Sequence, residues 1–143
     1  DVTIQAQVLN VLSQMQRSHN TSLLLITHDL SVVAHTADLV YVMYSGKIVE
    51  KAKVEDLFNK PHHPYTEGLL GSIPRLSDTT KHFVQIPDSV PHPMFKPSGC
   101  YFHPRCKYAT DKCKEKMPPL LKIDGDREIR CFYPLNVEGD KSL

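Results

Sequence analysis

All eleven prolines of this 143-residue chain lie at or after Pro61. Proline fixes φ and lacks an N–H, so helix interiors and central strands exclude it. The first sixty residues are therefore free to form regular helix and sheet, whereas the remainder has to be rich in loops. A small loop-rich module buries little apolar surface and usually needs a metal or disulfides to hold together. All four cysteines, Cys100, Cys106, Cys113 and Cys131, fall in that second part. The proline break predicts two parts, residues 1–60 and residues 61–143.

Charge and hydropathy narrow the function. Seventeen basic residues against sixteen acidic ones leave a net charge of +1, so no nucleic-acid partner is expected. No apolar run approaches the roughly 18 residues of a membrane span. The chain opens on Asp1-Val2-Thr3, neither a start methionine nor a signal peptide, and is expected to continue a longer polypeptide upstream.

In residues 1–17, Ile4, Val8, Val11, Leu12 and Met15 recur at the spacing of one buried helix face, with Thr3 placed to cap it. Ser22-Leu23-Leu24-Leu25-Ile26 is a short continuous apolar run, the pattern of a strand buried on both faces. A short helix over residues 30–37 follows, with Asp29 as its cap. Residues 39–44 form a second apolar run, and Ser45-Gly46 turns it into residues 47–50 as a hairpin. Short helices are expected over residues 54–58 and 66–73. The fold class is α/β: the closing portion of an open sheet with one unpaired edge, followed by a small loop-rich, metal-organised module.

Thr27-His28-Asp29 follows the first apolar run at its carboxyl end, where open α/β sheets bind ligands. A histidine there can donate a hydrogen bond to a phosphate or orient a water, and it can equally just tie down the turn. Leu24-Leu25-Ile26-Thr27-His28-Asp29-Leu30, then Ala37-Asp38, then Val42-Met43-Tyr44-Ser45-Gly46-Lys47-Ile48-Val49-Glu50 resembles the switch-histidine region of ABC transporter ATPases. Asp1-Val2-Thr3-Ile4-Gln5-Ala6-Gln7 resembles the stretch after the Walker B motif, where a D-loop ends in aspartate. The resemblance implies that His28 contacts the γ-phosphate of ATP, bound with Mg2+, and that Asp1 lies at the interface with a second ATPase subunit. The chain has no G-x-x-x-x-G-K-[ST] loop, no ABC signature motif and no Walker B carboxylates. His28 cannot alone supply phosphate binding, metal and water activation, so these 143 residues are not expected to turn over ATP by themselves.

Asn59-Lys60-Pro61-His62-His63-Pro64-Tyr65-Thr66 reads as a proline-broken entry into a short helix. It is similar to the His-Pro-Tyr motif of the oligopeptide and dipeptide importer ATPases, a subfamily that includes nickel-importer subunits. Lys51-Ala52 departs from that pattern, which usually has a glycine there. The resemblance implies transmembrane permease subunits as partners and a place on the cytoplasmic face of the membrane.

The cysteines are spaced C-x5-C-x6-C-x17-C. Four converging thiolates suit zinc or an iron–sulfur cluster, and two disulfides are the alternative. Between Phe95 and Tyr133 nine basic residues face five acids, and Arg105, Lys107, Lys112, Lys114 and Arg130 each neighbour a cysteine. Positive charge favours thiolate, and Tyr101, Phe102, Phe132 and Tyr133 are placed to shield a buried centre. The block Pro97-Ser98-Gly99-Cys100-Tyr101-Phe102, Pro104-Arg105-Cys106, Cys113, Pro119-Leu120 and Cys131 resembles the C-terminal extension of the same importer subfamily. The resemblance implies a 4Fe–4S cluster on the four cysteines, although spacing alone accepts Zn2+ equally. Asp88 and Arg127 depart from the extension's usual glycine and histidine. The reading is an ATP-binding, ATP-hydrolysing energy-coupling subunit of a peptide importer. Its alternative is a non-enzymatic cysteine-rich binding module stapled by metal.

Overall fold

In the computed structural model, which describes residues 2–72, 86 and 91–137, Ser45 and Gly46 both take positive φ, 47° and 80°. That pair of angles makes a two-residue turn matching the right-handed twist of paired strands. It joins β1 (Leu39–Tyr44) to β2 (Lys47–Lys53) as an antiparallel hairpin. In β1, Val42 and Tyr44 are buried and alternate with the exposed Tyr41 and Met43, the period of a half-buried strand. β2 breaks that alternation. Val42 pairs with Glu50 but Met43 with Ile48, so Val49 is an extra, bulged residue. The bulge allows Val49 and Glu50, neighbours in sequence, both to be buried.

Two later strands extend the hairpin. β3 (Leu121–Asp124) and β4 (Arg127–Ile129) pair antiparallel around Gly125, and β4 then pairs with β2. The sheet order is β1-β2-β4-β3, antiparallel throughout. Around it lie α3 (Val54–Asn59), α4 (Pro64–Gly71), a 3-10 turn (His103–Arg105) and α5 (Asp111–Glu115). The core gathers Val42, Tyr44, Val49, Ala52, Leu57 and Phe102. Leu57 is only 1% exposed, and burying such a side chain contributes about 1.5–3 kcal/mol. Tyr44 meets Tyr65 edge-on at 4.7 Å and Phe102 at 5.2 Å, so aromatic contacts join hairpin, α4 and cysteine loop.

The contacts divide the chain into a unit Asp1–Thr36 and a unit Ala37–Leu143. The division expected near residue 60 is not the one they draw. β2 lies before Pro61 and β4 after it, and their pairing welds the proline-rich part to the hairpin.

The first unit contains α1 (Val2–His19) and α2 (Leu30–Thr36). Asn20, at φ 50°, closes α1, and Thr21 N–H reaches back to the Gln16 carbonyl at 3.2 Å. Asp29 caps α2, accepting the N–H groups of Ser31 at 2.8 Å and Val32 at 3.3 Å. The strand expected over residues 22–26 is not formed. Those residues have no regular structure, with Leu24 84% and Ile26 90% exposed. A central strand needs neighbours for its N–H and C=O groups, and this unit contains only helices. The sheet expected to be open is, among the described residues, a small antiparallel one, so the α/β class stands without a parallel strand pair.

Candidate functional site

Glu50, which the bulge brings inside, organises the turn beyond α3. Its fully buried carboxylate accepts the N–H of His62 at 2.8 Å and of His63 at 2.9 Å. Burial pushes the carboxyl above its ordinary range, while those two amides and the Arg127 guanidinium, 3.9 Å away, pull it back. His63 is the N-cap of α4, with Pro64 at the first helical position. Its Nδ1 accepts the Tyr65 N–H at 3.0 Å, and the backbone of Arg130 is a further polar neighbour of the ring. Complete burial drives its pKa down to about 3, so the ring is neutral at physiological pH.

Beyond this turn the four thiols surround one cavity, walled also by His63, Phe102, Phe132 and Tyr133. Cys100 follows Gly99, which holds φ 62°. A Cβ on Gly99 would collide with the backbone of Cys113 and Lys114, so only glycine allows the Cys100 loop and α5 to touch. That approach lets Cys100 N–H donate to the Cys113 carbonyl at 2.8 Å. The 3-10 turn then carries the chain to Cys106, whose N–H donates to the His103 carbonyl at 3.2 Å. Cys113 comes from α5, and Cys131 follows the end of β4.

No thiol is in a disulfide. Each sulfur has a polar neighbour. Cys131 Sγ accepts the Tyr133 N–H at 3.4 Å, and Thr110 Oγ1 stands 3.6 Å from Cys113 Sγ. The Tyr108 amide lies near Cys106, and the amides of Phe102 and His103 lie near Cys100, each drawing the thiol's pKa down. Burial nonetheless raises Cys100, takes Cys106 to about 11 and takes Cys131 to about 12, and the other sulfurs of the group add to the rise. The expectation that basic neighbours favour thiolate is therefore outweighed by desolvation. Arg130 pulls Cys100 down and Lys107 pulls Cys106 down, but most of the basic side chains have other work. Lys107 pairs with Glu67 at 3.0 Å, Lys114 with Asp111 at 2.8 Å, and Lys112 stacks on Phe132 at 4.2 Å. Of the four expected shielding aromatics, Tyr101 is not among those walling the cavity and stacks with Lys96 instead. Among the described residues no three His, Cys, Asp or Glu side chains are arranged to hold a single metal ion.

His28 belongs to the first unit. It is exposed, in a turn pinned on both sides: Thr27 Oγ1 accepts the Asp29 N–H at 3.0 Å, and Asp29 caps α2. Asp1 and Asp88 lie outside the described residues. Sequence reasoning found the four thiols but missed Glu50, His63 and Gly99 as the residues that hold their surroundings. The available signal was Gly99 directly before a cysteine and an acidic residue ending an apolar strand.

Over residues 49–113 the chain matches the family described as oligopeptide/dipeptide transporter, C-terminal region. It is 53% identical over 132 residues to the oligopeptide transport ATP-binding protein AppD of Bacillus subtilis, covering 92% of this chain and 40% of that protein. To the dipeptide transport ATP-binding protein DppD of Escherichia coli it is 41% identical over 143 residues, covering 100% of this chain and 44% of the relative. To the oligopeptide transport ATP-binding protein OppD of Salmonella typhimurium it is 42% identical over 135 residues, covering 94% and 40%. The chain thus spans less than half the length of these relatives.

Proposed function

From its similarity to the ATP-binding proteins of oligopeptide and dipeptide transporters, we propose that this chain is the C-terminal part of the ATP-hydrolysing, energy-coupling subunit of a peptide importer. The observation that carries the reading is the family match over residues 49–113, joined to similarity along nearly the whole chain. In the complete subunit, ATP and Mg2+ are held by a phosphate loop and carboxylates outside these 143 residues. His28 supplies a hydrogen bond to the γ-phosphate, and Asp1 meets a second ATPase subunit. The exposed ring of His28 on a turn fixed by Thr27 and Asp29 supports that role, because a donor held in place beforehand costs no reorganisation when charge develops. The subunit sits at the cytoplasmic face of the membrane, attached through transmembrane permease subunits. Among the described residues no helix is long and apolar enough to cross a membrane. Nothing in the reported relatives favours a non-enzymatic cysteine-rich binding module.

The second part of the proposal is a 4Fe–4S cluster held by Cys100, Cys106, Cys113 and Cys131. The donor set fits: four free thiols line one cavity, and Cys131 Sγ receives a backbone N–H bond that favours the charged sulfur. Zinc, at about 2.3 Å from each sulfur, would draw all four to a single point. When bound, the cluster supplies four thiolate bonds that tie the Cys100–Cys106 loop, α5 and the end of β4 together.

The test is reconstitution. The full-length subunit, assembled with its partner ATPase and permease in vesicles, is expected to hydrolyse ATP in step with peptide uptake, while residues 1–143 alone do not hydrolyse it. Hydrolysis by the isolated chain, or an assembled complex indifferent to peptide, would sink the reading.

A further inference from the structure

His63 walls the thiol cavity while its Nδ1 is taken up by the turn it caps. Nδ1 accepts the Tyr65 N–H at 3.0 Å, and the backbone of Arg130, the residue before Cys131, is the ring's other polar neighbour. Arg130 is itself fixed to β2: its N–H donates to Val49 O at 2.9 Å and its Nε to Ile48 O at 2.9 Å. Across the cavity the His63 ring lies 5.7 Å from Phe102, tilted by 55°, within the loop that joins Cys100 to Cys106. Its backbone N–H is held by the buried Glu50 carboxylate. One side chain, 1% exposed, therefore lines the cavity shared by the four thiols and packs on the loop between Cys100 and Cys106.

We propose that His63 is a positioning residue of the thiol site, setting where Cys131 stands relative to Cys100 and Cys106. The inference rests on the cluster reading above and goes beyond it: the His-Pro-Tyr turn, remote from the cysteines in sequence, governs how firmly the cluster is held. The competing role is a helix cap and nothing more. The two roles separate by substitution. His63→Asn keeps an acceptor for the Tyr65 N–H, because asparagine is among the best N-cap residues. It is too short to reach the Arg130 backbone, to pack on Phe102 or to wall the cavity.

The experiment uses the full-length subunit purified without oxygen and supplied with ferrous iron and sulfide, as wild type, His63→Asn and His63→Ala. Wild type is expected to take up about four irons. His63→Asn should melt with wild-type cooperativity yet lose iron to a chelator about tenfold faster, the scale for residues behind the metal ligands. Its reduction potential should move as well, because the cavity wall has changed. His63→Asn decides the matter whether or not His63→Ala folds. An Asn variant that keeps iron as long as wild type, at an unchanged potential, overturns the proposal and leaves the cluster standing. A wild-type protein that takes up no iron overturns both.

Discussion

A carboxylate inside a protein is tolerated only when hydrogen bonds replace its lost water, and Glu50 receives them from two backbone amides. Glu50→Ala leaves both amides buried without an acceptor, at roughly 1–3 kcal/mol each, so urea unfolding should register a loss of about 2–6 kcal/mol. The same residue makes stability depend on pH. Burial lifts its folded-state pKa above the ordinary 4.5, so the folded state holds this proton more tightly than the unfolded chain. The stability Glu50 contributes is complete below pH 4.5 and is lost as pH rises through the raised value. Wild type should therefore lose stability relative to Glu50→Gln between pH 4.5 and neutrality. A difference that stays flat over that range would mean the carboxyl is not desolvated. Gly99→Ala meets backbone on one side and an unfavourable φ on the other, and is expected to cost more than about 2 kcal/mol. At the nucleotide, His28→Ala in the complete subunit should cut ATP hydrolysis on the order of a hundredfold with the fold intact. A normal rate would remove the phosphate contact from the account.

Among the elements, the β1–β2 hairpin was legible because its signals are local. Alternating burial and a Ser45-Gly46 turn need no distant partner. Its bulge was not legible, because the extra residue is defined by the register against β1 and not by composition. Strands β3 and β4 were missed for a similar reason: three- and four-residue segments carry little periodicity, and they are strands because β2 offers an edge. The cysteine loop, α5 and the end of β4 meet round the thiols, through backbone bonds such as Cys100 N–H to Cys113 O and where Lys112 stacks on Phe132. Any single Cys→Ser change at positions 100, 106, 113 or 131 should therefore bleach anaerobically prepared protein and lower the melting point of the whole Ala37–Leu143 unit. Bleaching without a change in melting would confine the metal to a passenger's role.

For the whole molecule, the two units have unequal means of support. The Ala37–Leu143 unit carries the sheet and the core cluster, whereas the first has an apolar helix face and an apolar segment exposed to water. Chymotrypsin should cut the isolated 143-residue chain within residues 22–26 and leave a resistant fragment beginning near Ala37. In the full-length subunit the same segment should resist, if it becomes a central strand there. Equal cleavage in both would remove the case for a strand at that place.

Residue chemistry and short-range pattern were enough, in the sequence alone, to single out His28, the four cysteines and the hairpin, and their order carried the family. Those features depend on side-chain type and on neighbours a few positions away. The tertiary structure decided the rest: that β2 and β4 pair across the proline break, that Glu50 is buried, and that His63 walls the thiol cavity. It decided too that desolvation outweighs the basic neighbours at the thiols. Each of these depends on which distant backbone removes water from a group, and that is set by the pairing of β2 with β4 and by the bulge within the hairpin.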